Sequence, residues 1–273
     1  MQVRLAPPYQ GRCLFCLSKR KLTDEDVISR AVRRLLPRVT SVQAVAGGTL
    51  VGKPSNVLHV VLKNAVCTRC NNRWMSGLEN AFVRTLGTQL SSPAKKTLDP
   101  SQQERVARWA AKTALLMTLW TGEQRPKGAA DHYVPDAHLR WLPTHATPPP
   151  GTRVWMGILN DPNERIVHHQ SAWLAVEPTK PVAYLVTFSL GYLLFQVFGT
   201  LPVDDRGGGT TLPILDPPAP FDRALTNIWP GNGQDAVWPT AMAIPAATLN
   251  RVAQWPRQLI EQPPTTPAAA GSL

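Results

Sequence analysis

Cys67-Thr68-Arg69-Cys70-Asn71-Asn72-Arg73-Trp74-Met75-Ser76-Gly77-Leu78-Glu79 places a two-cysteine knuckle directly ahead of an amphipathic segment. Trp74, Leu78, Phe82 and Leu86 recur at near-i+4 steps, which predicts a helix over 72–86. A second knuckle, Cys13-Leu14-Phe15-Cys16, lies upstream. Each knuckle can present two thiolates to one ion, and together they complete the four-sulfur tetrahedral shell that Zn²⁺ prefers. The 50 residues between the pairs exceed what a compact ribbon needs, so the intervening chain must fold back to join them. Four thiolates leave no open coordination position. A zinc held by Cys13, Cys16, Cys67 and Cys70 is therefore expected to staple the fold and not to catalyse.

Around this core motif the composition is that of a folded chain. Of 273 residues, 43% are hydrophobic, and 27 are proline, about double the usual share. So many prolines disfavour a bundle of long helices and point to an α+β fold with irregular connections. The net charge of +11 is unevenly placed: residues 1–100 hold 16 Lys/Arg against 5 Asp/Glu, whereas 101–273 hold 13 of each. Only the first part is built to meet an anion. Met1 to Pro8 lacks a basic stretch followed by an apolar one, so a cytoplasmic address is expected, where paired cysteines serve metals and not disulfides. Pro181 to Val203 is uncharged over 23 residues, but its prolines, glycines and β-formers read as two buried strands broken near Gly191 and not as a membrane span.

The organisation follows from these signals. Residues 1–100 read as a zinc-binding module, 101–262 as a helix-plus-antiparallel-β domain of unassigned role, and 263–273 as a disordered tail. Within the first part, Ile28, Ala31, Val32, Leu35 and Leu36 suggest a helix over 23–37 capped by Thr23 or Asp24, followed by a strand over 57–66. Ser91 to Pro100 reads as a linker, and Ser101 and Glu104 have capping-box spacing ahead of an apolar helix over 106–120. Strands are expected over 152–159, 172–177, 182–190 and 192–198, and a last helix over 250–260.

The order of parts resembles the zinc-stapled branch of the HNH endonucleases, including uncharacterised bacterial and phage proteins. The resemblance rests on a knuckle, the acidic segment Leu22-Thr23-Asp24-Glu25-Asp26-Val27-Ile28, a hairpin, and a second knuckle running into Asn71-Asn72 and Leu78-Glu79. It covers about the first 90 residues. It implies a ββα-metal module at the N-terminus in which Glu25 and Glu79 hold Mg²⁺ or Mn²⁺ and Asn71 positions the acidic segment. In that family a histidine ends the acidic segment and activates water. Here Asp26 stands in its place.

A carboxylate titrating near 3.9 is a far weaker base than an imidazole near 6.5, so the substitution should cost much of the 10²–10⁴-fold that a general base typically contributes. His59, ahead of Cys67, is the other residue that could reach in as a base. Asp24, Glu25 and Asp26 have a second reading, as first-turn carboxylates favoured by a helix dipole. Three functions stay open. The first is an HNH-like DNA-binding protein with weakened or lost metal-dependent phosphodiester hydrolysis. The second is a non-catalytic zinc-stabilised nucleic-acid-binding protein. The third is an interaction protein acting through its neutral part.

Overall fold

The computed structural model describes residues 2–3, 11–36, 43–46, 49–50, 61–122, 136–160, 168–177, 180–200, 217, 221–249, 251–253 and 255. His59, the tail over 263–273 and most of the last expected helix lie outside them. The fold is α+β, mixing helices with mainly antiparallel sheet.

In chain order, β1 (Gln2–Val3), β2 (Leu22–Asp26), α1 (Arg30–Arg33), β3 (Gln43–Ala46), β4 (Thr49–Leu50) and β5 (Val61–Cys67) lead into α2 (Thr68–Cys70). A π-helical turn over Asn71–Met75 continues α2 into α3 (Ser76–Leu86), so 68–86 is one helical rod. There follow β6 (Lys96–Leu98), α4 (Pro100–Gly122), α5 (Asp136–Trp141), β7 (Thr152–Ile158), β8 (His168–Glu177), β9 (Lys180–Leu190) and β10 (Leu193–Thr200). The last strands are β11 (Leu225–Trp229) and β12 (Ala236–Trp238).

Among the described residues three sheets result. A small one runs β1-β5-β2, a seven-stranded one runs β11-β7-β10-β9-β8-β3-β4, and β12 pairs with β6. The uncharged segment forms β9 and β10, joined in register by a tight turn at Gly191 and Tyr192. Gly191 has φ +56°, and a Cβ there would lie 1.7 Å from the Leu90 carbonyl oxygen, so only glycine fits. No helix among the described residues is long and apolar enough to cross a membrane.

The lack of charge in β9 and β10 has a direct cause: both faces of the large sheet are covered. Alternation puts Phe188, Phe195 and Val197 with α4, while Leu185, Leu194 and Phe198 pack with Trp155, Val252 and Trp255 on the opposite side. On the α4 side Trp109 stacks on Phe82 of α3 with centroids 3.5 Å apart. The larger buried cluster therefore takes residues from both sides of position 100, from Cys13 and Phe15 to Phe195 and Trp238.

Several local expectations need correction. Residues 22–26 form a strand and not the start of a helix, because β2 pairs with β5 from Leu22–Cys67 to Asp26–Val61. Tertiary pairing outweighs the weak helical preference of a run rich in acids. Only Arg30–Arg33 is helical, and its cap is Ser29, whose Oγ accepts from Val32 N at 3.4 Å. The acidic run is thus not a dipole-stabilised first turn. The expected linker contains β6, hydrogen-bonded to β12. The capping box of α4 sits two residues earlier than predicted: Asp99 Oδ1 accepts from Gln102 N at 2.8 Å, Gln102 Oε1 accepts from Asp99 N, and Pro100 takes the first helical position.

Candidate functional site

The first knuckle is a tight turn in which Leu17 N donates to Cys13 O at 2.9 Å and Cys13 N donates to Ser18 O at 3.0 Å. Leu14 N donates to Ala65 O and Thr68 N to Lys21 O, which seats this turn on the end of β5. Leu22 lies opposite Cys67 in the β2–β5 ladder, so the strand pairing itself carries the first pair of cysteines to the second. The four sulfurs lie within 4.8 Å of one another, with Cys16 Sγ and Cys67 Sγ 3.6 Å apart, and no disulfide forms. A tetrahedral ion with metal–sulfur bonds of about 2.3 Å needs sulfur–sulfur edges of about 3.8 Å. The cluster is thus positioned to bind one metal ion. Cys13, Cys67 and Cys70 are buried and Cys16 is exposed. Hydrogen bonding from the Cys70 thiol, aided by backbone donors, pulls Cys13 down to about 4 against the upward push of burial.

On the other side of the rod a cavity of about 460 Å³ opens between β2, α1 and α3, lined by Asp24, Glu25, Asp26, Asn71 and Glu79 among others. The residues singled out from the sequence do meet here. Asn71 Nδ2 donates to Thr23 Oγ1 at 3.0 Å, and Thr23 Oγ1 donates to Val66 O at 2.9 Å, so Asn71 ties the acidic strand to the rod. A register shift between Thr23 and Glu25 sets Asp24 apart as a bulge, with its carboxylate on Asn64 N and on Lys63 Nζ at 2.6 Å. Those two partners hold the Asp24 carboxyl below its usual range, Lys63 contributing most.

Every carboxylate in the cavity has a cation of its own or shares one. Asp26 Oδ2 is 2.8 Å from Arg33 Nη2. Glu79 accepts from Ser29 Oγ at 2.8 Å through one oxygen and from Lys112 Nζ through the other. Glu25 faces inward, 3.9 Å from the same Lys112 ammonium. Burial raises Glu25 to about 7, with Lys112 opposing and Glu79 and Asp26 adding to the rise. Burial pulls Lys112 down, but Glu79 and Glu25 outweigh it and hold the ammonium above its ordinary value. The single ammonium of Lys112 is thus shared by Glu25 and Glu79.

The carboxylates of Glu25 and Glu79 converge, but onto a lysine. Sequence reasoning missed Lys112, Ser29, Arg33 and Lys63 as partners. For Lys112 a signal existed: it is the one charged residue between Arg108 and Gly122 in a helix otherwise apolar there. A lone lysine in such a run needs a buried acid. Chemically, burial brings the Glu25 carboxyl to about 7, the range in which a side chain exchanges protons most effectively at pH 7. No protein-family model, curated protein or solved structure matches this chain.

Proposed function

We propose that this chain is a zinc-stapled, HNH-like nucleic-acid-binding protein, acting on DNA, whose hydrolytic centre is silenced by internal ion pairs. The observation that carries the silencing is the Lys112 ammonium held by Glu79 and close to Glu25, where the resemblance would put Mg²⁺ or Mn²⁺. A divalent cation would have to displace a buried, hydrogen-bonded lysine or share its ligands with it. Asp26, in the place of the general base, is engaged by Arg33. The binding half of the reading rests on the +11 charge of the first 100 residues, which suits a polyanion and predicts steep salt dependence. The cysteine quartet suits Zn²⁺ by its donor set and spacing, and its role would be structural.

A second reading is favoured by the solvent-open cavity and by Glu25 titrating near 7: a slow Mg²⁺- or Mn²⁺-dependent phosphodiester hydrolase in which Glu25 holds metal or accepts the proton. One pair of assays separates them. Silenced binding predicts gel-shifted duplex DNA that dissociates as salt rises, with supercoiled plasmid left intact in Mg²⁺ or Mn²⁺. Nicking in Mn²⁺ that is lost in Glu25→Gln would instead establish the hydrolase. Absence of any salt-sensitive binding to DNA or RNA would overturn both and leave the interaction-protein reading.

A further inference from the structure

We infer that the phosphodiester backbone of DNA binds in an arginine-lined groove beside the cysteine quartet, and not over the acidic cavity. This rests on the nucleic-acid reading above and specifies its surface. The groove encloses about 670 Å³ between the knuckle turn and α5, and continues into a shallower cleft of about 510 Å³. Arg20, Arg69 and Arg73 line both parts, Arg140 lines the first from α5, and neither part is lined by a carboxylate.

The decisive property is that three of these four cations are unspent. Among the described residues, the side chains of Arg20, Arg69 and Arg73 are exposed and form no ion pair. Arg69 and Arg73 are four residues apart on one helical rod, a like-charge spacing that disfavours the free fold. Arg20 is brought beside them by the Thr68 N to Lys21 O bond. Arg140 reaches Asp136 through one nitrogen at 3.4 Å, but its buried Nε has no hydrogen-bond partner. Behind them the Arg108 guanidinium lies over Trp74, 5.5 Å from the ring centroid, which gives the groove a firm aromatic wall. A chain of regularly spaced phosphates satisfies this arrangement without any base being read. Guanidinium groups match phosphate oxygens bidentately, and the released counterions supply the affinity.

The test measures fluorescence-anisotropy binding of a labelled duplex DNA across a salt series. In the triple variant Arg20→Gln/Arg69→Gln/Arg73→Gln, the slope of log Kobs against log salt should shrink by about 3, with affinity falling by about 10²-fold at 0.1 M salt. Arg140→Gln should remove about 1 from the slope. A charge-matched control, Arg105→Gln/Arg223→Gln/Arg251→Gln, should keep the wild-type slope. Because Arg69 lies between two cysteines, metal content and melting temperature are measured alongside. If the triple variant loses metal, the double variant Arg20→Gln/Arg140→Gln replaces it, with an expected slope change of about 2. Groove and control variants that behave alike, in a protein that still binds DNA, overturn the groove and leave the nucleic-acid reading standing. A wild-type protein that binds no DNA overturns the reading itself.

Discussion

The acidic cavity and the arginine groove lie on two sides of the same rod, residues 68–86, and treat charge in opposite ways. Asn71, Met75 and Glu79 give one face of the rod to the cavity, whereas Arg69 and Arg73 give another to the groove. In the cavity each carboxylate is matched to Lys63, Arg33 or Lys112 within the protein. In the groove three arginines are exposed and form no ion pair among the described residues. A charge compensated inside the fold offers little to a ligand, whereas an uncompensated one rewards an incoming counter-charge. The density of charged side chains in a pocket is thus a poorer guide to binding than the pairing state of those charges.

The contrast can be broken at several points. The largest effect is expected from stripping the proposed zinc with a chelator, since both regions hang on the rod that follows Cys67. Structural zinc sites contribute on the order of 10 kcal/mol, so thermal melting followed by circular dichroism should show the cysteine-bearing part unfolding. A melt indifferent to chelation would remove the staple from the account. Next comes the buried lysine. Lys112→Met leaves Glu79 without its cation and should destabilise the fold by about 3–5 kcal/mol in denaturant titration, as should other single breaks of the pair. Lys112→Met/Glu79→Leu should recover part of the loss, because it removes the uncompensated Glu79 charge and leaves only Glu25 without the ammonium. A double variant no better than the single would mean that Lys112 acts through packing alone.

A third effect concerns the α5 wall of the groove. His138 is buried with Nδ1 3.1 Å from the Tyr184 hydroxyl, and burial depresses the ring to about 4. The unfolded histidine takes up protons from about pH 6.5 downward while the folded one stays neutral to about 4. Its contribution is therefore complete above 6.5 and is lost as pH falls toward 4, by about 3 kcal/mol over the whole interval. His138→Phe should flatten that part of the stability–pH curve, and an unchanged slope would locate the acid sensitivity elsewhere. The smallest effect belongs to the rim of the cavity. Asp24 is exposed and Lys63 only half-buried, so Lys63→Met should change stability by less than about 1 kcal/mol.

How much was readable beforehand varies with the length scale of the cause. The cysteine quartet, the long α4 helix, and the paired strands around Gly191 all follow from spacing and periodicity, which act over a few residues. The acidic run was misread because its neighbours along the chain favour a helix, while its actual partner, β5, lies about forty residues away. Lys112 illustrates the same limit. Its solitary charge in an apolar helix signals a buried partner, but nothing in the linear order says that the partner is Glu79 and that Glu25 lies near.

Sequence by itself determined that four thiols come in two knuckles, that basic charge gathers in the first 100 residues, and that the centre of the chain is apolar enough to be covered on both faces. Tertiary structure alone decided which charges cancel. That division has a physical root: composition and period are sums over neighbours in the chain, whereas a Coulomb interaction depends on distance through space, and only folding brings Lys112 to the acids or leaves Arg20, Arg69 and Arg73 without an acid among the described residues.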